Sequence, residues 1–573
     1  MLGSRHLLWA VLLFPSAAIY ADTIIPPGPV SGTWTETGSP YLIQGEITIS
    51  SDSTLIIEPG VDVIFQGHYK FIVHGYLEAL GTASDSILFT ATNPDTGWHG
   101  IRFIDASDSS QLRFCSVEYG KASGPWNHPD SYGGGIFCTN SNPVFLHCVF
   151  QYNQAQQKGG AIYCQQSNPM ISYCTIGWND AVSLGGGLFL ETSNATILNC
   201  AIRQNYAAYS GNGAGGGIYC EDANPVIQNC DISGNATGSD FGISGGGIFL
   251  YNSHPSIHNC SIFGNSVGFG YGGGIYCNGS NPTIDSTVIQ DNIAWTAGAG
   301  ISTIGSNPII THCTIANNIG CFYGSGINVL ASNPTISNCT ISGNESNTSG
   351  SIYFHNSMAS ITNTIISGNL GAGSVHFEDS SDISITYCDI TDNNGGNFTG
   401  NVPDSLGLIS ITNLNGDSCD IFFNIRMDPL FIAPELGDYH LQSPSPCIDA
   451  GDPNSQHDPD STVADIGAFY FHQTGIHENR AGHSIPTSFR LYQNYPNPFN
   501  SSTSISFALP VPSKAALKIY DITGRHVAIL FNGFHEAGTH NVIFDASGLS
   551  SGVYFCQLKT YNNSAVTKMV LLK

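Results

Sequence analysis

The stretch GGGIYCEDANPVIQNCDISGN, residues 215–235, decides the fold, because versions of it return along most of the chain. Its anchor, Ile218, has counterparts at Ile136, Ile162, Leu188, Ile248, Ile275, Ile301, Ile327, Ile352 and Val375. From Ile136 onward the spacings are 26, 26, 30, 30, 27, 26, 26, 25 and 23 residues. A period of this size marks a repeat architecture, in which each unit buries its apolar face only by stacking on the next. A leucine-rich repeat would need an LxxLxL strand and a helical return, and neither is present. Nonapeptide and hexapeptide repeats are excluded because 26 is a multiple of neither nine nor six. No segment shows helical periodicity. What remains is an all-β coil of short strands whose turns stack about 4.8 Å apart.

Three columns follow from that stacking. Two residues after the anchor stand Cys138, Cys164, Leu190, Cys220, Leu250, Cys277, Thr303, Val329 and Phe354. Twelve after it stand Cys148, Cys174, Cys200, Cys230, Cys260, Thr287, Cys313, Cys339 and Thr364. Five further on comes an unbroken column of Asn153, Asn179, Asn205, Asn235, Asn265, Asn292, Asn318, Asn344 and Asn369. Asn tolerates the left-handed bend of a corner, and its amide donates to one neighbour and accepts from the other. Most of the 17 cysteines exchange with Leu, Val, Thr or Phe in their own columns, as small core residues do. Stacked neighbours near 4.8 Å are also wider than the ~3.8 Å Cβ separation of a disulfide. Most thiols are therefore expected to be free. Cys419 and Cys447 lie off the columns and are the pair expected to bridge.

Composition agrees with such a coil: 66 of 573 residues are Gly and only 10% are charged. The formal charge of −26 is uneven. Residues 22–487 hold 8 Lys/Arg against 39 Asp/Glu, or −31, whereas residues 488–573 hold 7 against 3, or +4. An acidic coil repels nucleic acid, anionic lipid and acidic polysaccharide. Residues 1–21 combine Arg5, an apolar run from Leu7 and small residues before Asp22, the pattern of a signal peptide. No later stretch approaches the ~18 apolar residues of a membrane span. The expected organisation is a signal peptide at 1–21, a capped coil at 22–471, a linker at 472–487 and a C-terminal domain at 488–573. Shorter early turns at 29–115 and the closing segment 419–471 are the atypical ends that a solenoid needs to cap its open strand edges.

The coil resembles the pectin-lyase-like superfamily of right-handed parallel β-helix proteins. The resemblance rests on the GTWTETGSPYLI entry, the IIEPGVDVIF turn, the Asn column and the SPCIDAGDP and ADIGAFY close, over about residues 29–471. It implies the fold but no single activity, since that superfamily includes lyases, hydrolases, adhesins and phage spikes. The last segment resembles a type A sorting domain of the type IX secretion system. Its carriers are Asn494-Tyr495-Pro496-Asn497-Pro498-Phe499-Asn500, IYDITGRHV, AGTH, LSSGVYFCQL and the terminal KMVLLK, with Ser501 where that family usually has Pro. Alternating runs such as Leu517–Ile522 and Val553–Leu558 fit a small β-sandwich. The resemblance implies export across the outer membrane by that machinery, with the coil released or anchored at the cell surface.

The residue between the first two inward columns faces outward. That outward column reads Phe137, Tyr163, Phe189, Tyr219, Phe249 and Tyr276, and the position before each anchor is usually Gly, which predicts an unshielded stripe. Six stacked rings span roughly 24 Å and offer a platform for sugar rings; the alternative is a ladder that only stiffens the sheet. The next outward column places Glu191 and Glu221 on adjacent turns. Carboxylates about 5 Å apart suit a retaining glycosidase pair, and solvated surface is the alternative. A β-eliminating lyase needs a cationic base, and no Lys or Arg lies between Arg203 and Arg426. Asp449, Asp452, Asp458 and Asp460, with Asp465, crowd the closing segment and offer oxygen ligands for Ca²⁺, or simply close its turns. Finally, the anchor-to-Asn stretch is constant at 17 residues, so length varies only in the gap that follows. The gaps carry Tyr206, Tyr209, Phe241, Phe269, Tyr271, Trp295, Phe322 and Tyr323 along one edge, and insertions confined to one edge mark a binding face. The expected function is binding of glycan or another extracellular polymer, with a polysaccharide-degrading glycoside hydrolase as the alternative.

Overall fold

The computed structural model describes residues 22–573 except 208–212, 239–243, 380, 474–488, 495, 501, 512, 536–537, 547, 561–562 and 573. The signal peptide, nearly all of the linker, and Tyr209 and Phe241 therefore lie outside the described residues.

One turn shows how the coil is built. Ile136–Thr139 belongs to the anchor sheet, Val144–Leu146 to a second sheet, Val149–Gln151 to a third and Gln154–Ala155 to a short fourth. The next turn repeats the order in register, with Ile136 opposite Ile162, Phe145 opposite Ile171 and Phe150 opposite Ile176. Among the described residues the anchor and third sheets each have 15 strands, the second 14 and the short sheet nine. Every pairing within these four sheets is parallel, so the chain is an all-β parallel β-helix. The expected columns point inward: Ile218, Cys220, Ile227 and Ile232 are fully buried and Cys230 nearly so, within one core that runs from Trp34 to Leu406. Each such Ile contributes roughly 1.5–3 kcal/mol by leaving water.

The Asn column is a continuous zipper. In mid-stack, Asn265 Oδ1 accepts from the backbone N–H of Asn235 at 2.9 Å and from its Nδ2 at 3.0 Å. Asn265 Nδ2 donates to Ile232 O at 2.8 Å and to Asn292 Oδ1 at 3.0 Å. The expected left-handed bend, however, falls one residue earlier. Tyr152 (φ 56°), Trp178 (φ 60°) and Gln204 (φ 55°) take it in three successive turns, and Gly234 (φ 62°) in the next. The amide must turn inward to reach its neighbours, so the residue before it makes the corner. A serine column accompanies the zipper: the N–H of Ser141 donates to Ser167 Oγ at 3.1 Å and that of Ser167 to Ser193 Oγ at 3.1 Å. The recurring SNP triplet encodes it.

The cysteine thiols donate to backbone carbonyls, as from Cys200 Sγ to Leu198 O at 3.2 Å. All 17 are free, including Cys419 and Cys447, which do not form the expected bridge. Cys447 Sγ instead lies 3.3 Å from the Asp389 carboxylate, on the last strand of the third sheet. The closing segment folds back on the outer face of that sheet. The N–H of Ala468 donates to Thr340 Oγ1 at 3.1 Å, the N–H of Gly467 to Asn363 O at 2.9 Å, and Ile365 joins a cluster with Leu441, Cys447 and Ile466. Outward residues Thr340, Ser342 and Ile365 are buried beneath it.

The chain divides into two compact units after Gln473. The C-terminal unit has a three-stranded and a four-stranded antiparallel sheet, with Ile505, Phe507, Leu517, Ile519, Cys556 and Leu558 in a common core. Alternation of buried and open residues along Ser513–Asp521 and Gly552–Thr560 is the small β fold its sequence predicts.

Candidate functional site

The outward aromatic column forms but is not the open platform its spacing predicts. Centroids of Phe137, Tyr163, Phe189, Tyr219, Phe249 and Tyr276 follow one another at 5.4, 5.5, 4.7, 4.7 and 5.1 Å. All six rings are buried, the most open, Tyr219, at 8%. They make a second core outside the coil, shared with Tyr132, Leu184, Ala214 and Tyr271. The covering residues Tyr132, Lys158, Leu184 and Ala214 bridge one another on successive turns, so a strip of chain lies back over the rings. The glycines that suggested exposure make this closure possible. A Cβ on Gly134 would stand 2.5 Å from Gln154 O in the short sheet, and one on Gly135 3.0 Å from Asn153 Cγ. These six rings cannot stack on a glycan.

Two of the coil's few cations are sunk into this second core. The Arg102 guanidinium lies 4.7 Å from the Phe137 centroid and donates to Tyr132 O, Gly133 O and Pro129 O at 2.7, 2.8 and 2.9 Å. Burial pushes its pKa down to about 9, opposed by Asp130. Lys158 lies 4.4 Å from the Phe189 centroid. Neither role has a recurring sequence signal, because each cation occurs in one turn only.

Glu191 and Glu221 are register neighbours on adjacent turns, as expected, and both are half-buried. They share the Lys158 ammonium at 3.7 and 3.6 Å. The Tyr163 hydroxyl donates to Glu191, and Gln165 Nε2 does so at 3.4 Å. Burial raises the Glu221 pKa, with Lys158 opposing and Glu191 adding to the rise. The pair thus clamps a lysine over a ring.

The acidic residues of the closing segment close its own turns. Asp465 accepts from the N–H groups of Asp449 and Phe471, and Asp458 from that of Asp465 at 2.9 Å. Asp460 accepts from Thr462 and from the Gln473 N–H at 2.8 Å, and Asp452 from the Asn454 N–H at 2.9 Å. Among the described residues no group of three or more His, Cys, Asp or Glu is arranged to hold a metal ion. Burial raises Asp389 and Asp465 to about 7 and Asp458 to about 6.

Along the edge of variable gaps the rings are open. Phe269 and Trp295 expose 49% and 52%, with centroids 5.5 Å apart, and Phe322 and Tyr323 expose 46% and 44% one turn on. Exposed Ile293 and Ile319 on the adjoining short strands extend the patch. Tyr206 lies three turns before Ile293 in the same column, with Ala236 and Ser266 between them, and Tyr271 packs on the buried column, so these two do not join it.

These features define a repeat-built parallel β-solenoid, followed in sequence by a separate antiparallel domain. A family model described as the right handed beta helix region matches residues 92–241, 209–323 and 246–404, together more than half of the 573 residues. The chain belongs to that right-handed β-helix family. Residues 493–572 match the secretion system C-terminal sorting domain, so this is a secreted or cell-surface β-helix protein handled by type IX secretion. No curated protein and no solved structure matches the chain. Among the described residues no helix is long and apolar enough to cross a membrane.

Proposed function

We propose that this secreted β-helix binds a neutral extracellular glycan through the open rings of its variable edge, as a binding protein rather than a hydrolase. The observation that carries it is the set of half-exposed rings Phe269, Trp295, Phe322 and Tyr323 on three consecutive turns. Exposed apolar patches of this kind mark interaction sites, and ring faces beside polar backbone suit the CH faces of sugars. The ligand is neutral because residues 204–425 hold no Lys or Arg to pair with a polyanion. Catalysis has less support: Glu191 and Glu221, the one carboxylate pair the sequence singles out, are both engaged by Lys158.

The test is retention of the full chain on a panel of immobilised neutral and acidic polysaccharides, with chromatography of the eluate for released sugars. Retention on a neutral polymer without new reducing ends is expected. Retention on none, or new reducing ends or unsaturated products above a heat-killed control, overturns the proposal.

A further inference from the structure

Two further aromatic stacks stand at the two corners of the third sheet. Phe114, His147 and Tyr173 stack at 4.6 and 4.9 Å along the corner that precedes its strands. Tyr119 and Tyr152 stack at 5.6 Å along the corner that follows, with Trp178 next in the column. All six take the left-handed bend, with φ between 47° and 60°. That conformation suits Asn or Gly, and both columns later revert to such residues: Asn199, Asn229 and Asn259 on one side, Gly234 and Gly264 on the other. Bulky rings at a strained corner are costly unless they serve something else. The outermost pair, Tyr173 and Trp178, are each 54% exposed, with no ring above them in the next turn, where Asn199 and Gln204 follow.

Between the two stacks the outward residues of the sheet are small. Thr175 and Gly177 face outward on the strand that joins Tyr173 to Trp178, with Ala201 beyond Thr175. Tyr173 and Trp178 are five residues apart, which places their Cα atoms no more than about 18 Å from each other. Polar groups stand at both margins. On the near side Glu118 is held by Ser116 Oγ and Gln151 Nε2, each at 2.7 Å. On the far side Arg203 leans across Gly177, its Cγ 3.5 Å from where a Gly177 Cβ would lie. The closing segment buries the same face of the same sheet farther along, at Thr340, Ser342 and Ile365, whereas here Thr175 and Ala201 are only half-buried.

We propose that this trough is a second glycan site, distinct from the variable edge, that takes a short run of neutral sugar rings laid across the sheet from Tyr173 to Trp178. The two terminal rings supply the stacking faces. Gln151, Glu118 and Arg203 supply acceptors and donors for hydroxyls. Gly177 makes room for the Arg203 side chain beside it, and the opposite charges of Glu118 and Arg203 leave the site without the net positive field a polyanion needs.

The experiment is calorimetric titration of the full chain with neutral glucan, xylan and mannan oligosaccharides and with a uronate oligosaccharide. The variants are Trp295→Ala with Phe322→Ala at the variable edge, Tyr173→Ala with Trp178→Ala at the trough, and Trp178→Tyr. The edge variant should still bind a neutral oligosaccharide. The trough variant should lose that binding component by roughly tenfold or more, with the unfolding midpoint unchanged because both rings are exposed. Trp178→Tyr, which keeps a ring, should retain it. An edge variant that no longer binds, a trough variant with wild-type affinity and stoichiometry, or a trough that takes only the uronate overturns the inference. If the edge variant binds as well as the wild type, the variable-edge site fails and the trough stands.

Discussion

The ammonium of Lys158 lies 4.4 Å from the centroid of Phe189 while it bridges Glu191 and Glu221. One cation thus ties the covering strip to the aromatic column and neutralises the two acids at its margin. Replacing Lys158 with Met keeps the packing and leaves two half-buried carboxylates facing each other. Glu221, whose pKa burial already raises, should then be raised further. A carboxyl raised in the folded state binds a proton that the unfolded chain releases, so folded stability falls as pH rises past the unfolded value of about 4.3. The unfolding midpoint of the Lys158→Met protein should drop more, relative to wild type, at about pH 8 than at about pH 4. An equal drop at both would separate Lys158 from the acids.

The Asn265 side chain makes four hydrogen bonds to three neighbours. Asn265→Ala leaves the amide of Asn235, the carbonyl of Ile232 and Oδ1 of Asn292 short of partners in a dry interior. The cost should be at least about 2 kcal/mol in chemical unfolding. An unchanged midpoint would show that the zipper is ornamental.

The closing segment should loosen as pH rises. Asp389 and Asp465 are raised to about 7 and Asp458 to about 6, by burial, from 3.8. Between about 4 and 7 the folded segment holds protons that the unfolded chain has lost, so its stability is greatest below that window and declines through it. Hydrogen exchange of residues 419–471, corrected for intrinsic rates, should report more protection at about pH 5 than at about pH 7.5. Protection that grows with pH would reverse the sign and contradict the burial of these acids in neutral form. Asp389→Asn should flatten the response.

Thiol counting on the denatured, unreduced protein should find most of the 17 cysteines reactive. Extensive oxidation would contradict the inward stacks, whose thiols are all free.

Much of the coil was legible in the sequence because its signals recur. The anchor period gave the turn, the two cysteine columns gave the interior, and the unbroken Asn column gave the zipper. What escaped does not recur, or is too short to show a period. The strip that covers the rings runs through Tyr132, Lys158, Leu184 and Ala214, single bridging residues in stretches that looked like free loops. An alternation rule calls a strand's second face outward, and cannot see that the chain returns over it. Cys419 and Cys447 looked like a pair because both left the columns, yet Cys447 was placed by a buried aspartate. The corner stacks ending at Tyr173 and Trp178 run for only three turns before Asn, Gln and Gly replace them, too few to read as a column.

We propose that the open rings bind and the buried column holds the fold. The measurement that tests it most directly compares two double variants in glycan affinity and unfolding midpoint. Trp295→Ala with Phe322→Ala should weaken the edge component of binding roughly tenfold or more and leave the midpoint unchanged, since both rings are half-exposed. Tyr219→Leu with Phe249→Leu should lower stability by several kcal/mol and leave binding intact wherever the protein is folded, since both are buried. The reverse pattern, with affinity lost at Tyr219 and Phe249 and untouched at Trp295 and Phe322, would contradict it.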